Sequence, residues 1–250
     1  MYRFLLSPKW LGFHLLVVGA VVLMVNLGFW QLRRLDEKHE RNARIEQRID
    51  EAPVALSELL PVELDATDAP PADAEWRPIT ATGVYELGET VSVLNRSQDG
   101  AAGDMVVTPL RLDDGRLLLV ERGFVPLAAD AADAPSGEVT VTGRLRASQQ
   151  HQPGQLSDPA DGVLDAVLRF DIPRLAEQLD GPVVPMYIEL TASTPAEATP
   201  YPAPVTPPEL TNGPHPSYAV QWFVFSICVA VGWVLAVRRS VGTRRATAHT

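Results

Sequence analysis

Residues 10–32 read WLGFHLLVVGAVVLMVNLGFWQL and residues 217–237 read SYAVQWFVFSICVAVGWVLAV. Neither stretch holds an Asp, Glu, Lys or Arg. As a helix rising 1.5 Å per residue, each is long enough to cross a hydrocarbon core of about 30 Å. All 31 acidic residues lie between the two stretches, from Asp36 to Glu209. The expected fold is therefore a membrane α+β protein. Two transmembrane helices, one N-terminal and one C-terminal, flank a small, mainly antiparallel β domain with a minor helix.

Working outward, charge is distributed unevenly. Residues 33–216 carry 15 Lys or Arg against the 31 acids, although the whole chain of 250 residues has a net charge of only −10. The flanks are basic: Arg3 and Lys9 on one side, Arg238, Arg239, Arg244 and Arg245 on the other. An acidic enclosed segment repels phosphates, which argues against nucleic acid as a partner. The basic C-terminal flank suits anionic lipid on a cytoplasmic face, so membrane lipid is an expected partner. The single cysteine, Cys228, sits within the second apolar stretch, and the polar domain can form neither a disulfide nor a Cys-x-x-Cys redox site.

The first stretch is longer than a signal-peptide core and ends in bulky Gly28-Phe29-Trp30-Gln31-Leu32, so it reads as a retained anchor. The positive-inside rule gives two answers. The second span has four Arg after it and no basic residue for some forty positions before it, which places its C-terminal end in the cytoplasm. The first span is followed by Arg33, Arg34, Lys38, Arg41, Arg44 and Arg48, which argues the other way. The cleaner flank decides: both termini are expected in the cytoplasm of a multi-pass bacterial cell-membrane protein, with the domain outside.

The expected divisions are a tail at 1–9, a span at 10–32, an extracytoplasmic domain at 33–190, a Pro-rich strap at 191–216, a span at 217–237 and a basic tail at 238–250. Leu35, His39, Asn42, Ile45 and Ile49 recur at helical steps, which predicts that the first helix runs on to about Pro53. Residues 58–75 are acidic and rich in Pro and Ala, and read as an exposed loop. Strands are expected at 79–85, 90–95, 105–112, 116–120, 139–145 and 185–190, and a helix at 172–179 with Asp171 as its cap. The strap holds eight prolines and should be extended.

Catalytic signatures are absent: there is no Gly-x-Ser-x-Gly, no His-Glu-x-x-His and no phosphate-binding Gly-rich loop. The domain's scattered acids read as a solvated surface. One interfacial layer stands out. His215 lies where the second span enters the membrane, followed by Tyr218, Gln221 and Trp222, with Phe225 further along the same face. The first span leaves at the same level through Trp30 and Gln31, then Arg33 and Arg34. The plain reading is an aromatic belt with polar anchors. The sharper one is a haem contact, with His215 as iron ligand, aromatic walls for the macrocycle and Arg for the propionates.

Three motifs in order resemble the Surfeit locus protein 1 family. They are Leu27-Gly28-Phe29-Trp30-Gln31-Leu32-Arg33 followed by Lys38; Val107-Thr108-Pro109-Leu110 with Val120-Glu121-Arg122-Gly123-Phe124-Val125-Pro126; and Gly213-Pro214-His215-Pro216-Ser217-Tyr218-Ala219-Val220-Gln221-Trp222. The likeness covers both ends of the chain. It departs at Glu121 and Phe124, where Asn and Trp are common, at Pro216, and in the register of Asn212. The resemblance implies a non-enzymatic assembly factor for haem-copper cytochrome c oxidase. Such a factor would bind haem a and deliver it to the oxidase catalytic subunit, with haem a synthase as a second candidate partner. It also implies that His215 matches the family's candidate haem ligand. The alternative is a haem-free scaffold that stabilises an early form of the catalytic subunit.

Overall fold

A computed structural model describes residues 3–246. Residues 1–2 and 247–250, the outermost parts of the two expected tails, lie outside the described residues. In chain order the elements begin with α1 (Pro8–Ile49), β1 (Val54–Ala55), α2 (Leu56–Leu59), β2 (Pro78–Tyr85), β3 (Val91–Gln98) and β4 (Ala101–Leu112). There follow β5 (Leu117–Pro126), β6 (Glu138–Ala147), β7 (Ala166–Val167), α3 (Ile172–Ala176), β8 (Val183–Thr194) and α4 (His215–Ala246). Two compact units result, Met1–Arg44 with Glu209–Thr250, and Ile45–Pro208.

The first unit is built on α1 and α4, both long and apolar enough to cross a membrane. Pro8 opens α1 and Pro216 is the second residue of α4, positions where a missing N–H costs nothing. No proline interrupts either helix after that. The charged half of α1 stays helical for the reason its spacing suggests, and Ile45 on its apolar stripe, where the second unit begins, is buried.

In the second unit, β2 pairs with both β6 and β4, so the order β2-β6-β8-β5-β4 returns to β2 and closes a five-stranded ring. β3 and β7 extend from β4, and β1 extends from β2. Most pairings are antiparallel; β5 and β8 run parallel. Closure brings β2 tight against β4: a Cβ on Gly83 would lie 2.2 Å from the Arg111 carbonyl oxygen, so only glycine permits that seam. The two faces of the sheet each hold a core. One gathers Leu118, Val120, Met186 and Ile188; the other gathers Leu119, Tyr187, Phe170 and Ile172, with Phe170 stacked on Tyr187 at 3.8 Å. β5 is thus buried on both faces, as its apolar Leu117–Val120 run requires, and the burial extends over Glu121 and Arg122.

Several expectations need correction. Residues 58–75 are not simply an exposed loop, because Leu60 and Ala74 are fully buried against the first core. The strand expected at 116–120 continues to Pro126, because Arg122 within it is neutralised from afar by Glu197 at 2.6 Å. The strand expected at 185–190 spans Val183–Thr194, and the strap is therefore ordered sheet at its start. Further on, Phe124 and Ala203 exchange backbone hydrogen bonds of 2.8 Å in both directions. Gly123 makes this possible, since its φ of +148° and the 2.2 Å from a Cβ to the Ala203 carbonyl oxygen exclude a side chain. The helix expected at 172–179 stops at Ala176, where three-residue turns to Gln178 and Leu179 replace α-helical bonds.

Two of the acids read as surface are in the interior. Glu121 and Glu189 stand directly opposite each other on β5 and β8, both buried. Arg144 donates to Glu189 at 3.3 Å and Arg146 makes a close ion pair with it, while the Arg146 guanidinium lies 3.7 Å over the Trp76 ring. Glu189 is thereby neutralised and Glu121 is the surplus carboxyl. Burial, then repulsion from Glu189, pushes the Glu121 carboxyl up to about 7. A carboxyl whose folded pKa is raised holds its proton longer in the folded state, so stability falls as pH rises between the two values. Relative to Glu121→Gln, the unaltered domain should therefore lose stability from about pH 4.5 to about pH 7, by at most roughly 3 kcal/mol. Thermal midpoints that differ at pH 8 and converge near pH 4.5 would bear this out.

Candidate functional site

The expected interfacial layer forms within the first unit, on α1 and α4. Their close approach depends on Gly28: a Cβ there would fall 2.7 Å from the Phe223 ring, which instead packs edge-on against Phe29 at 5.5 Å. One turn beyond Gly28, buried Gln31 turns toward the first residue of α4. Its Oε1 accepts a hydrogen bond from Nδ1 of His215 at 2.8 Å. An amide oxygen only accepts, so Nδ1 carries the imidazole proton and Nε2 is left with its lone pair.

Above this contact is a hollow of about 360 Å³ lined by His215, Arg34, Glu37, Lys38 and Arg41. Arg34 is bound to Glu37 at 2.7 Å and lies 6.0 Å from the Trp30 ring centre. Asn42 donates to the Thr211 carbonyl at 3.2 Å and ties α1 to the segment leading into α4. The hollow therefore pairs one imidazole nitrogen, free to bind a metal, with three cationic side chains and a single carboxylate. Such a set offers a single nitrogen donor and can bind anionic groups by charge-assisted hydrogen bonds. Among the described residues no group of three or more His, Cys, Asp or Glu could hold a metal, so a multi-ligand cage is not in question.

Of the residues singled out in the sequence, His215, Gln31 and Arg34 come together, with Trp30 beside Arg34. Arg33 is exposed and does not line the hollow. Tyr218 and Gln221 are exposed on α4, and Trp222 packs edge-on against Phe225 at 6.1 Å rather than against the imidazole. Sequence reasoning missed Lys38 and Arg41 as site residues. The signal was present, because Gln31, Arg34, Lys38 and Arg41 follow one another at three- and four-residue steps and form one stripe of α1.

A second imidazole lies at the far end of the helix pair. The Trp233 indole N–H donates to Nδ1 of His14 at 2.8 Å, with Trp10 5.5 Å from the same imidazole. An indole can only donate, so Nδ1 of His14 must accept.

The fold and the hollow define a class: a β domain that lies in sequence between two membrane-length helices, with a polar site on the helices. Within that class the chain belongs to the SURF1 family, whose model matches residues 18–227. A SURF1-like protein of Mycobacterium bovis is 31% identical over 92% of this chain and 83% of its own length. Human Surfeit locus protein 1 is 28% identical over 53% of this chain and 48% of its own. The cytochrome oxidase assembly protein SHY1 of Saccharomyces cerevisiae is 29% identical over 48% of this chain and 29% of its own.

If Gln31 fixes the imidazole, Gln31→Leu should release it. In ¹⁵N-labelled protein, two-bond nitrogen–proton correlations of His215 should report the Nδ1–H form in the unaltered chain and a mixture of tautomers in the variant. An unchanged pattern would show that the amide does not set the tautomer.

Proposed function

We propose that this protein is a non-enzymatic assembly factor for cytochrome c oxidase that holds haem a and passes it to the oxidase catalytic subunit. Family membership and the name of the yeast relative, a cytochrome oxidase assembly protein, support the assembly role. The observation that carries the haem reading is the His215–Gln31 pair, which leaves one imidazole nitrogen free beside cationic side chains. Those residues fit the group: His215 would supply the axial ligand, and Arg34, Lys38 and Arg41 would face the propionates. Exposed apolar and aromatic surface on α1 and α4, such as Phe29 and Phe225, would take the long apolar tail. Haem supplies the redox-active iron to the oxidase; the protein's part is to bind, orient and release it. A single protein ligand suits release, because the acceptor can outcompete it.

In this reading both apolar helices cross the bacterial cell membrane, both termini lie in the cytoplasm and the β domain faces outward. Haem a synthase would be the donor and the oxidase catalytic subunit the recipient. Protein purified from cells that make haem a should show a haem absorbance band, and His215→Ala should abolish or shift it while the protein still inserts. Recovery of the catalytic subunit with no haem in the unaltered protein would replace this reading with that of a haem-free scaffold.

A further inference from the structure

The β domain contains a second hollow, remote in sequence from the helix-pair site, whose chemistry is the opposite of the domain around it. Its volume is about 660 Å³, within the range of small-molecule sites. Two guanidinium groups line it, Arg96 and Arg169, together with the side chains of Asn95, Ser148, four glutamines, Leu156 and Leu168; no carboxylate does. This occurs in a segment where acids outnumber bases about two to one.

Arg96 is the unusual member. Among the described residues every other arginine from Arg77 to Arg174 has a carboxylate within 4.0 Å: Arg111 has Glu86, Arg116 has Asp114, Arg122 has Glu197, and so on. Arg96 has only the Gln149 side-chain oxygen, at 3.3 Å. Glu121 is within electrostatic reach of Arg96 but forms no ion pair with it, and it is buried opposite Glu189 on the ladder. A half-buried guanidinium with no carboxylate within 4.0 Å, in an acidic domain, can take an anionic partner from outside.

The hollow is also set in advance. Gln149 Oε1 accepts from Arg96 and from the Phe170 backbone N–H at 3.2 Å, and the Gln149 N–H donates to the Phe170 carbonyl at 2.7 Å. That bracing holds the Arg96 head against the end of β6. Arg169 is held by the Leu156 carbonyl and, at 3.9 Å, by Asp158. Gln150, Gln152 and Gln155 also line the hollow and carry further amide donors.

We infer that this hollow is a binding site for a small polyvalent oxyanion, a solute bearing carboxylate or phosphate groups, gripped by Arg96 and Arg169 with the glutamine amides completing its hydrogen bonds. Guanidinium forks match either group in geometry. The inference stands apart from the haem reading, since none of these residues belongs to the helix-pair site.

The test is calorimetric titration of the detergent-solubilised full chain, at low ionic strength, with citrate and separately with inorganic phosphate. Saturable binding of at least one is expected, and which one binds identifies a carboxylate or a phosphoryl ligand. Arg96→Gln should weaken it about tenfold or more, and Arg169→Gln in the same direction. Gln150→Glu, an exposed change that adds only a repelling charge to the lining, should weaken binding as well, and it guards against a misfolded Arg96 variant. Arg111→Gln, which lies outside the hollow, should leave affinity unchanged. Absence of saturable binding for both probes at millimolar concentration, or equal affinity in the Arg96 and Gln150 variants, would overturn the inference.

Discussion

Contact between two apolar helices is the constraint on which the helix-pair site rests. Between lipid tails there is no hydrophobic drive for two such helices to associate, so close approach and interhelical hydrogen bonds must supply it. Gly28 provides the approach by having no side chain where the Phe223 ring lies. Gln31 provides the hydrogen bond one turn later. The same amide that secures the helices also orients the imidazole, so structural and chemical roles fall on one residue.

The β domain answers a different constraint. A sheet closed on itself leaves few free edges in its ring, and it buries two faces with few residues. It nonetheless keeps Glu121, Glu189 and Arg144 inside, with Arg146 half-buried beside them, and Nη2 of Arg144 is buried without a hydrogen bond. Buried ions of this kind are seldom kept for stability, since apolar residues of equal volume do as well or better. Here the ladder pairs the two carboxylates directly, and the arginines of β6 neutralise one of them.

Legibility in the sequence follows the range of the interaction. The helices were readable because they need only uncharged length, and most strands because period-two burial is local. The Gly-x-Trp-Gln and His-x-x-Tyr segments could be placed at one depth from helix geometry alone. What escaped depends on distant partners. Glu121 reads as a surface acid until β8 sets Glu189 beside it, and Arg122 ends an apolar run until Glu197 returns along the strap to meet it. Leu60 looks like part of an acidic loop until the core beneath the strands buries it. Lys38 and Arg41 are a different omission, since their helical stripe was visible and only their facing was unread.

The indole bond to His14 carries a consequence for direction. With Nδ1 accepting, the neutral ring keeps its hydrogen on Nε2 and has no spare electron pair to give a metal. His215 has the reverse arrangement, about 26 Å away along α1 if measured from Gln31 to His14. Two chemically identical side chains are thus made unlike by their neighbours, and the helix pair has a receptive pole and an inert one.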